Sequence, residues 1–499
     1  MNRSSVDIVV VGSGFAGSLA ALLLSRLGRS VLVIDRDRHP RFAIGESSTP
    51  IANLVLADLA VRFDLPDLQS LANYGSWKRD YPQLDCGLKR GFSYFQHQPG
   101  CPFQPTSDHR FELMVAASSR DELGDTHWLR SDLDAHVASL LAGGGVELRE
   151  ATRLRSLQQS TTGSGWQLEL EDAAGVSQLG CQLIVDASGA GQVLADQLQL
   201  ANTTTSLRTH SQAIFSHFDN LPAWQEWLAG QGVDTGHHPF DCDQAAQHHL
   251  LDGGWLWLLR FDSGLASAGI CYDPRRSTPA DDWHGWLASY PSLNELFSTA
   301  QLAQRPGQLI ASGRLQRRVT PAAGPGWLLL PHSAGFIDPL HSTGIAHTML
   351  ALERLLDLVE RDWGAETMAG QLQDYSDNLQ SELDLVDRLV SGCYLSLPNM
   401  DLFRSFSMLY FAAAITCEEA RRQPDLARQL GFLCARDADF SALVDEQLAG
   451  LQQLLQEGPP GAASIAAFQA QLAVALEPFN SVGLCDPALN HMYSYTATA

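Results

Sequence analysis

Lysine is almost missing from this chain. Only Lys78 and Lys89 occur among 499 residues, against 31 arginines, although lysine is ordinarily one of the commonest residues. A sequence that uses arginine wherever a generic cation suffices leaves lysine where its own chemistry differs. Positive charge as a whole is scarce. The 33 basic residues face 56 acidic ones, a net charge of −23, which argues against nucleic acid and anionic membrane surfaces as partners. Cysteine pairing signals are missing too: nine cysteines are scattered from Cys86 to Cys485, odd in number and never in C-x-x-C spacing. Neither a disulfide framework nor a zinc site is therefore expected, and a reducing, cytoplasmic setting is. Uninterrupted apolar runs stop short of the ~18 residues a membrane span needs, so no membrane is expected as a partner.

What is present is an ordinary globular composition, 45% apolar and 18% charged, in a chain long enough for two or three domains. Its most informative stretch is the N-terminus. Residues 7–11, DIVVV, read as a buried parallel strand. Gly12, Ser13, Gly14, Phe15, Ala16 and Gly17 then spell G-x-G-x-x-G, followed by an apolar helix predicted over 18–27 and a second strand over 30–34. Asp35 ends that strand, 21 positions after Gly14. The glycines permit a tight turn and close backbone approach to a pyrophosphate, the helix start offers free N–H groups, and the acid meets ribose hydroxyls. Strand, helix, strand and acid in this order point to a dinucleotide site and away from a signal peptide. Arg36, Arg41 and Ser47 are grouped with that site.

Further along, Thr49 and Pro50 form an N-cap and N1 pair opening a helix. Residues 86–95 alternate as one strand, with Leu88, Arg90, Phe92 and Tyr94 on one face and Lys89, Gly91 and Ser93 on the other. A helix is predicted over 126–142 with Arg130 near its start. Strands are expected over 145–172, and LIVDASG near 183–189 returns to the nucleotide-binding sheet. Residues 205–310 read as an antiparallel sheet facing a substrate. Trp327–Leu330 is expected as a strand leading into a loop, and a helix is expected from Ser342, whose hydroxyl would cap it. From about 370 the periodicity is helical.

Several of these stretches together resemble the flavin-dependent halogenases, within the single-Rossmann flavoprotein monooxygenases. GSGFAG resembles the family's FAD fingerprint and GESSTP (45–50) its G-E-x-x-x-P segment. GWLWLLRF (254–261) is similar to W-x-W-x-I-P, and GFIDPLHSTGI (335–345) resembles D-P-L-x-S-x-G. QHHLLDGGWLWLLRF and CGLKRGFSYF look like the phenolic branch. The resemblance implies an α/β fold, α+β overall: a single-Rossmann FAD-binding monooxygenase-like fold with an antiparallel substrate sheet and a helical C-terminal region. The expected division is FAD-binding over 1–85, 126–200 and 316–365, substrate-side segments over 86–125 and 201–315, and helices over 366–499.

The resemblance also implies roles. Lys89 falls on the family's essential lysine, Gly12, Gly14 and Gly17 on the pyrophosphate glycines, Asp35 on the ribose acid, and Arg130 on an FAD-contacting arginine. Thr343 and Gly344 fall on the backbone amides beside halide and flavin, with Ile345 next to them on the flavin. Reduced FAD and oxygen would convert chloride or bromide to hypohalous acid, which passes to Lys89 and halogenates an electron-rich aromatic, free or carrier-tethered. No second G-x-G-x-x-G follows a strand, so reduced flavin is expected from a separate NAD(P)H-dependent flavin reductase. On spacing alone Lys89 also reads as a solvated strand lysine. Glu46 reads either as orienting the halide or the surroundings of Lys89, or as part of a capping loop. His248, His249 and His341 are open alternatives for a base on a phenol hydroxyl, and none has metal-ligand spacing. Trp255 and Trp257 read as core.

Three departures stand out. Arg260 replaces the signature's terminal proline, Pro331-His332-Ser333 stands where relatives have G-D-A, and His341 stands where tryptophan halogenases carry glutamate. The last points to a phenol-like or pyrrole-like substrate. A single-component aromatic hydroxylase is the competing enzyme reading, and a flavin-binding protein without turnover is the third.

Overall fold

The N-terminal apolar run forms the middle of a parallel sheet. A computed structural model describes residues 4–160, 165–276, 282–456 and 458–494. In it β1 (Ile8–Val11) leads into α1 (Phe15–Arg26) and β2 (Val31–Ile34). Strand Leu183–Asp186 lies on the other side of β1, so that Val10 sits between Val33 and Val185. From edge to edge the sheet runs 323–324, 327–329, 183–186, β1, β2, 147–149, with all pairings parallel except the first. Both faces are covered, which is why β1 and β2 are apolar throughout rather than alternating. The helix predicted from Ser18 begins three residues earlier, at Phe15. The glycine turn itself starts the helical backbone, before the apolar periodicity does.

α2 (Pro50–Arg62) begins at the expected Pro50, but the Thr49 side chain makes no cap hydrogen bond. The single strand expected over 86–95 is two strands in two sheets. β3 (Cys86–Lys89) pairs only with Asp125–Trp128, and β4 (Gly91–Gln96) joins a nine-stranded sheet, with Arg90 at the break. The alternation of faces therefore does not continue from Lys89 to Phe92. Residues 126–128, expected to start a helix, belong to that partner strand, and the helix begins at Arg130.

The nine-stranded sheet runs 301–302, 212–219, 266–272, 254–260, 246–251, 91–96, 112–116, 492–493, with 310–311 also on 212–219. It is antiparallel as expected over 212–272, but 246–251 pairs parallel with 91–96. After strand Trp327–Leu329 a short helix, Pro331–Ala334, replaces the expected loop. The C-terminal third is helical: Thr343–Asp362, Met368–Ser396, Met400–Ala420, Ala438–Gln456 and Ala462–Leu476. Helix 400–420 is buried almost all round, which places it inside the molecule. One stretch, Ala462–Phe479, is long and apolar enough to cross a membrane by length and composition, with a mean hydropathy of 1.2.

Candidate active site

At the glycine turn, Gly12 has φ +104°, and a Cβ there would lie 2.6 Å from the carbonyl oxygen of Ala187. A Cβ on Gly17 would lie 1.9 Å from the carbonyl oxygen of Gly12. The backbone packs too closely at both positions for any side chain. The backbone N–H and hydroxyl of Ser13 donate to Asp35 Oδ2 at 2.7 and 2.8 Å, and Arg41 Nη2 donates to the same oxygen at 2.7 Å. Asp35 Oδ1 accepts from the Asp37 N–H at 2.9 Å, which leaves that oxygen a lone pair for a hydroxyl. Burial raises the Asp35 pKa, but the N–H groups of Asp37 and Ser13, together with Arg41, outweigh it and the net shift is down. Arg36 is exposed and pairs with Asp37 at 3.3 Å.

Arg130 grips Asp134 through Nε and Nη2 at 2.8 and 2.9 Å and donates to the carbonyls of Ile44 and Gly45. Its guanidinium sits 4.7 Å from the ring centroid of Phe15. Asp134 Oδ1 in turn accepts the Phe15 N–H at 3.2 Å, at the start of α1. Ala16 is half-buried beside it. Asp134 is absent from the sequence reading, although its i,i+4 spacing from Arg130 on one helix was a usable signal. The turn, the closely packed glycines and a carboxylate with spare acceptor capacity together fit a dinucleotide cofactor. Gly17→Ala is accordingly expected to cost at least about 1–3 kcal/mol of stability and to abolish FAD binding, measured by quenching of flavin fluorescence.

Lys89 is fully buried. Its Nζ donates to the Ser48 carbonyl at 2.5 Å and lies 4.1 Å from the Phe92 ring centroid. The β3 register puts it opposite Asp125, also buried. Asn53 donates to Asp125 Oδ1 at 2.7 Å, and Oδ2 has no hydrogen-bond partner. Burial lowers the Lys89 pKa to about 8 and raises that of Asp125 to about 7, each partner's charge opposing the shift in part. Neither the placement of Asp125 opposite Lys89 nor that of Asn53 on Asp125 was visible in the sequence. Glu46 is buried, but its Oε1 meets His217 Nε2 at 2.8 Å rather than Lys89, and its Oε2 is unpartnered. The buried hydroxyl of Ser47 is unpartnered as well. Lys78 is half-exposed and paired with Asp262 at 2.7 Å.

A narrow cavity of about 30 Å³ is walled by Phe92 together with Thr49, Thr343, Tyr410, Phe411 and Glu418. At this volume a ring enters only if the aromatic walls move. Thr343 opens helix 343–362 as predicted, but Ser342 adopts φ 52° and its side chain makes no cap, so the hydroxyl capping expected there does not occur. Gly344 lies against His332, whose Nε2 would be 2.5 Å from a Cβ at that position, and Ile345 is buried. Burial lowers the His332 pKa to about 3. Ser333 donates to Asp186 Oδ1 at 3.0 Å and accepts the Gly189 N–H at 2.9 Å. This departure from G-D-A therefore ties the short helix to the nucleotide sheet. Arg260, in the lost proline's place, braces Asp243 at 2.5 Å and the carbonyl of Leu221 at 2.8 Å.

None of the three histidines proposed as bases lines this cavity. His248 stacks on Tyr94 at 4.6 Å, His249 contacts His97 at 2.8 Å, and His341 stacks on Tyr410 at 4.2 Å. Burial keeps all three neutral, with pKa values lowered to about 3 for His248 and His341 and well below the usual value for His249. Trp255 and Trp257 are core residues, donating to Tyr394 and Ser267. Away from the cavity, His109, Glu112 and His238 bring three ligand-type atoms within 4.8 Å of one another. Both imidazoles there meet Glu112 Oε2, at 3.0 and 3.1 Å, while His238 Nδ1 has no hydrogen-bond partner among the described residues.

Residues 7–240 match the family model described as FAD dependent oxidoreductase, which defines the class: an FAD-dependent oxidoreductase built on one Rossmann unit. Residues 131–402, more than half of the chain, match the model described as Tryptophan halogenase, and the chain belongs to that family of flavin-dependent enzymes, with FAD as cofactor. It is 25% identical to the monodechloroaminopyrrolnitrin halogenase of Pseudomonas fluorescens, over 89% of this chain and 81% of that one. It is 26% identical to the tetracycline 7-halogenase of Kitasatospora aureofaciens, over 82% of this chain and 73% of that one. Its fold is shared with halogenase PltM, solved in complex with phloroglucinol and FAD, at a TM-score of 0.84 and 22% identity, covering 99% and 100% of the two chains.

Proposed function

We propose that this enzyme halogenates an electron-rich, phenol-like aromatic with hypohalous acid delivered to Lys89. The observation that carries the reading is the complete burial of the Lys89 amine against the ring of Phe92, which walls a cavity that also contains the start of helix 343–362. Bound in reduced form, FAD with oxygen supplies the oxidising equivalents that turn chloride or bromide into hypohalous acid. The N–H groups of Thr343 and Gly344, at the positive end of a 20-residue helix, are suited to hold the halide. Lys89 then donates to the oxygen of the hypohalous acid and polarises its oxygen–halogen bond. A pKa near neutrality lets the same amine give a proton up and take it back, which arginine cannot do. Asp125 keeps the amine oriented and partly charged. The phenolic relative and the histidine at 341 both favour a phenol-like ring over an indole.

The test supplies a flavin reductase, FAD, NADH, bromide and phloroglucinol, and follows products by mass spectrometry. A halide-dependent gain of bromine is expected; a halide-independent gain of one oxygen overturns the reading in favour of hydroxylation. A second measurement concerns the amine's partner. Asp125 holds the Lys89 pKa up, so Asp125→Asn is expected to move the Lys89-dependent limb of the kcat/KM profile to lower pH, by on the order of one unit or more. An unmoved limb would show that the two groups are not coupled in turnover.

A further inference from the structure

Glu418 is the one acidic residue among those walling the cavity beside Phe92. It stands near the end of helix 400–420, is only 6% exposed, and shares the cavity with Phe92, Thr343, Tyr410 and Phe411. Among the described residues its carboxyl makes no hydrogen bond and no ion pair; the charges acting on it, from Asp125, Cys417 and Glu419, share its sign. The adjacent arginine is spent elsewhere, since Arg421 binds Glu353 and Asp58. A buried carboxyl without a partner costs stability, and an apolar side chain of the same shape would avoid that cost. Its position is therefore explained by what enters the cavity rather than by the fold.

We infer that Glu418 is a substrate-recognition residue, accepting a hydrogen bond from a ring hydroxyl of the aromatic substrate while Phe92, Tyr410 and Phe411 enclose the ring. This rests on the functional reading above and names the group that selects its substrate. Burial raises the Glu418 pKa well above the usual carboxyl value, so the acid and a phenol are closer in proton affinity than they are in water. A hydroxyl donating its hydrogen bond to a carboxyl oxygen carries more electron density on its own oxygen and ring, which makes the ortho and para carbons better nucleophiles. Anchoring that oxygen also fixes which ring carbon faces Phe92, the residue the cavity shares with Lys89. An O-methylated ring has no proton to offer and leaves the carboxyl buried and unpaired, so it is rejected for the same reason that a site built for a hydroxyl rejects any analogue lacking it.

The test is a comparison of ratios. Phloroglucinol and 1,3,5-trimethoxybenzene are offered with FAD, reductase and bromide to the wild type, to Glu418→Leu and to Glu418→Gln, and kcat/KM is measured for each pair. The wild type is expected to prefer the hydroxylated ring by on the order of tenfold to a hundredfold. In Glu418→Leu that preference is expected to collapse toward unity, with FAD affinity unchanged. Glu418→Gln, of the same size and still able to accept a hydrogen bond, is expected to keep most of the KM advantage and lose kcat, and it serves as the readout if the leucine variant does not fold. A wild-type preference retained in both variants overturns the inference while leaving the functional reading intact. A wild type that brominates neither ring overturns the functional reading and this inference with it.

Discussion

Replacing Lys89 by methionine or alanine is expected to lower halogenation by about 10²–10⁴-fold, the range for losing a positioned acid–base group, while oxygen uptake with supplied reduced FAD continues. The reason lies in where the amine sits. It is shut away from water, donates to the Ser48 carbonyl, and touches the ring of Phe92, which also walls the cavity. Methionine keeps the volume of the stem and removes only the amine, and the stranded Asp125 is already shifted by burial toward its neutral form, so the variant is expected to fold. Lys89→Arg is expected to fail as completely as methionine, because a guanidinium neither fits the carbonyl contact nor gives up its proton. Liquid chromatography of the products with an oxygen electrode in parallel checks both halves. Undiminished halogenation in the methionine variant would remove the central element of the proposed function.

The largest expected effect on stability is at Glu382. This carboxylate is fully buried in helix 368–396. It binds Arg354 through both oxygens, at 2.8 and 2.5 Å, His347 Nε2 at 3.0 Å and the Phe432 N–H at 2.8 Å. It thereby joins helix 343–362, whose first residues line the cavity, to the helical C-terminal region. Removing one member of a buried pair leaves the other charge unpaired, at a cost of about 3–5 kcal/mol, so Glu382→Gln is expected to lower the urea midpoint strongly. The pH dependence has a definite sign. Burial raises the Glu382 pKa, but Arg354 and His347 outweigh it and the net shift is far downward. A depressed carboxyl contributes stability that is complete above its unfolded pKa of 4.5 and is lost as the pH falls below it. The gap between wild type and Glu382→Gln is therefore expected to narrow between pH 5 and pH 3. A constant gap would mean that the carboxylate's charge does not contribute.

The two halves of the site were not equally legible. Gly12, Gly17 and Asp35 sit where their spacing put them, because a tight turn and a helix start are conditions on neighbouring residues. The helix from Thr343 was legible for the same reason, even though Ser342 enters it in a left-handed conformation that denies its hydroxyl the capping role. Alternation misled over 86–95. A period of two shows which residues share a face only while the strand is unbroken, and this one breaks at Arg90. The result is that Lys89 and Phe92, assigned to opposite faces, are in contact. His248 and His249 beside the signature strand, and His341 in the 335–345 segment, were open alternatives for a base and are buried among aromatic rings and neutral.

Family membership, the nucleotide-binding half and the singularity of Lys89 were thus determined by the sequence alone, because each depends on residue type and near-neighbour spacing. Only the tertiary structure decided that Asp125 faces Lys89, that Glu46 belongs to His217, and that Glu418 arrives from the far end of the chain to line the same cavity. Those pairings are set by strand register and helix packing between segments remote in sequence, and no periodicity within one segment encodes them.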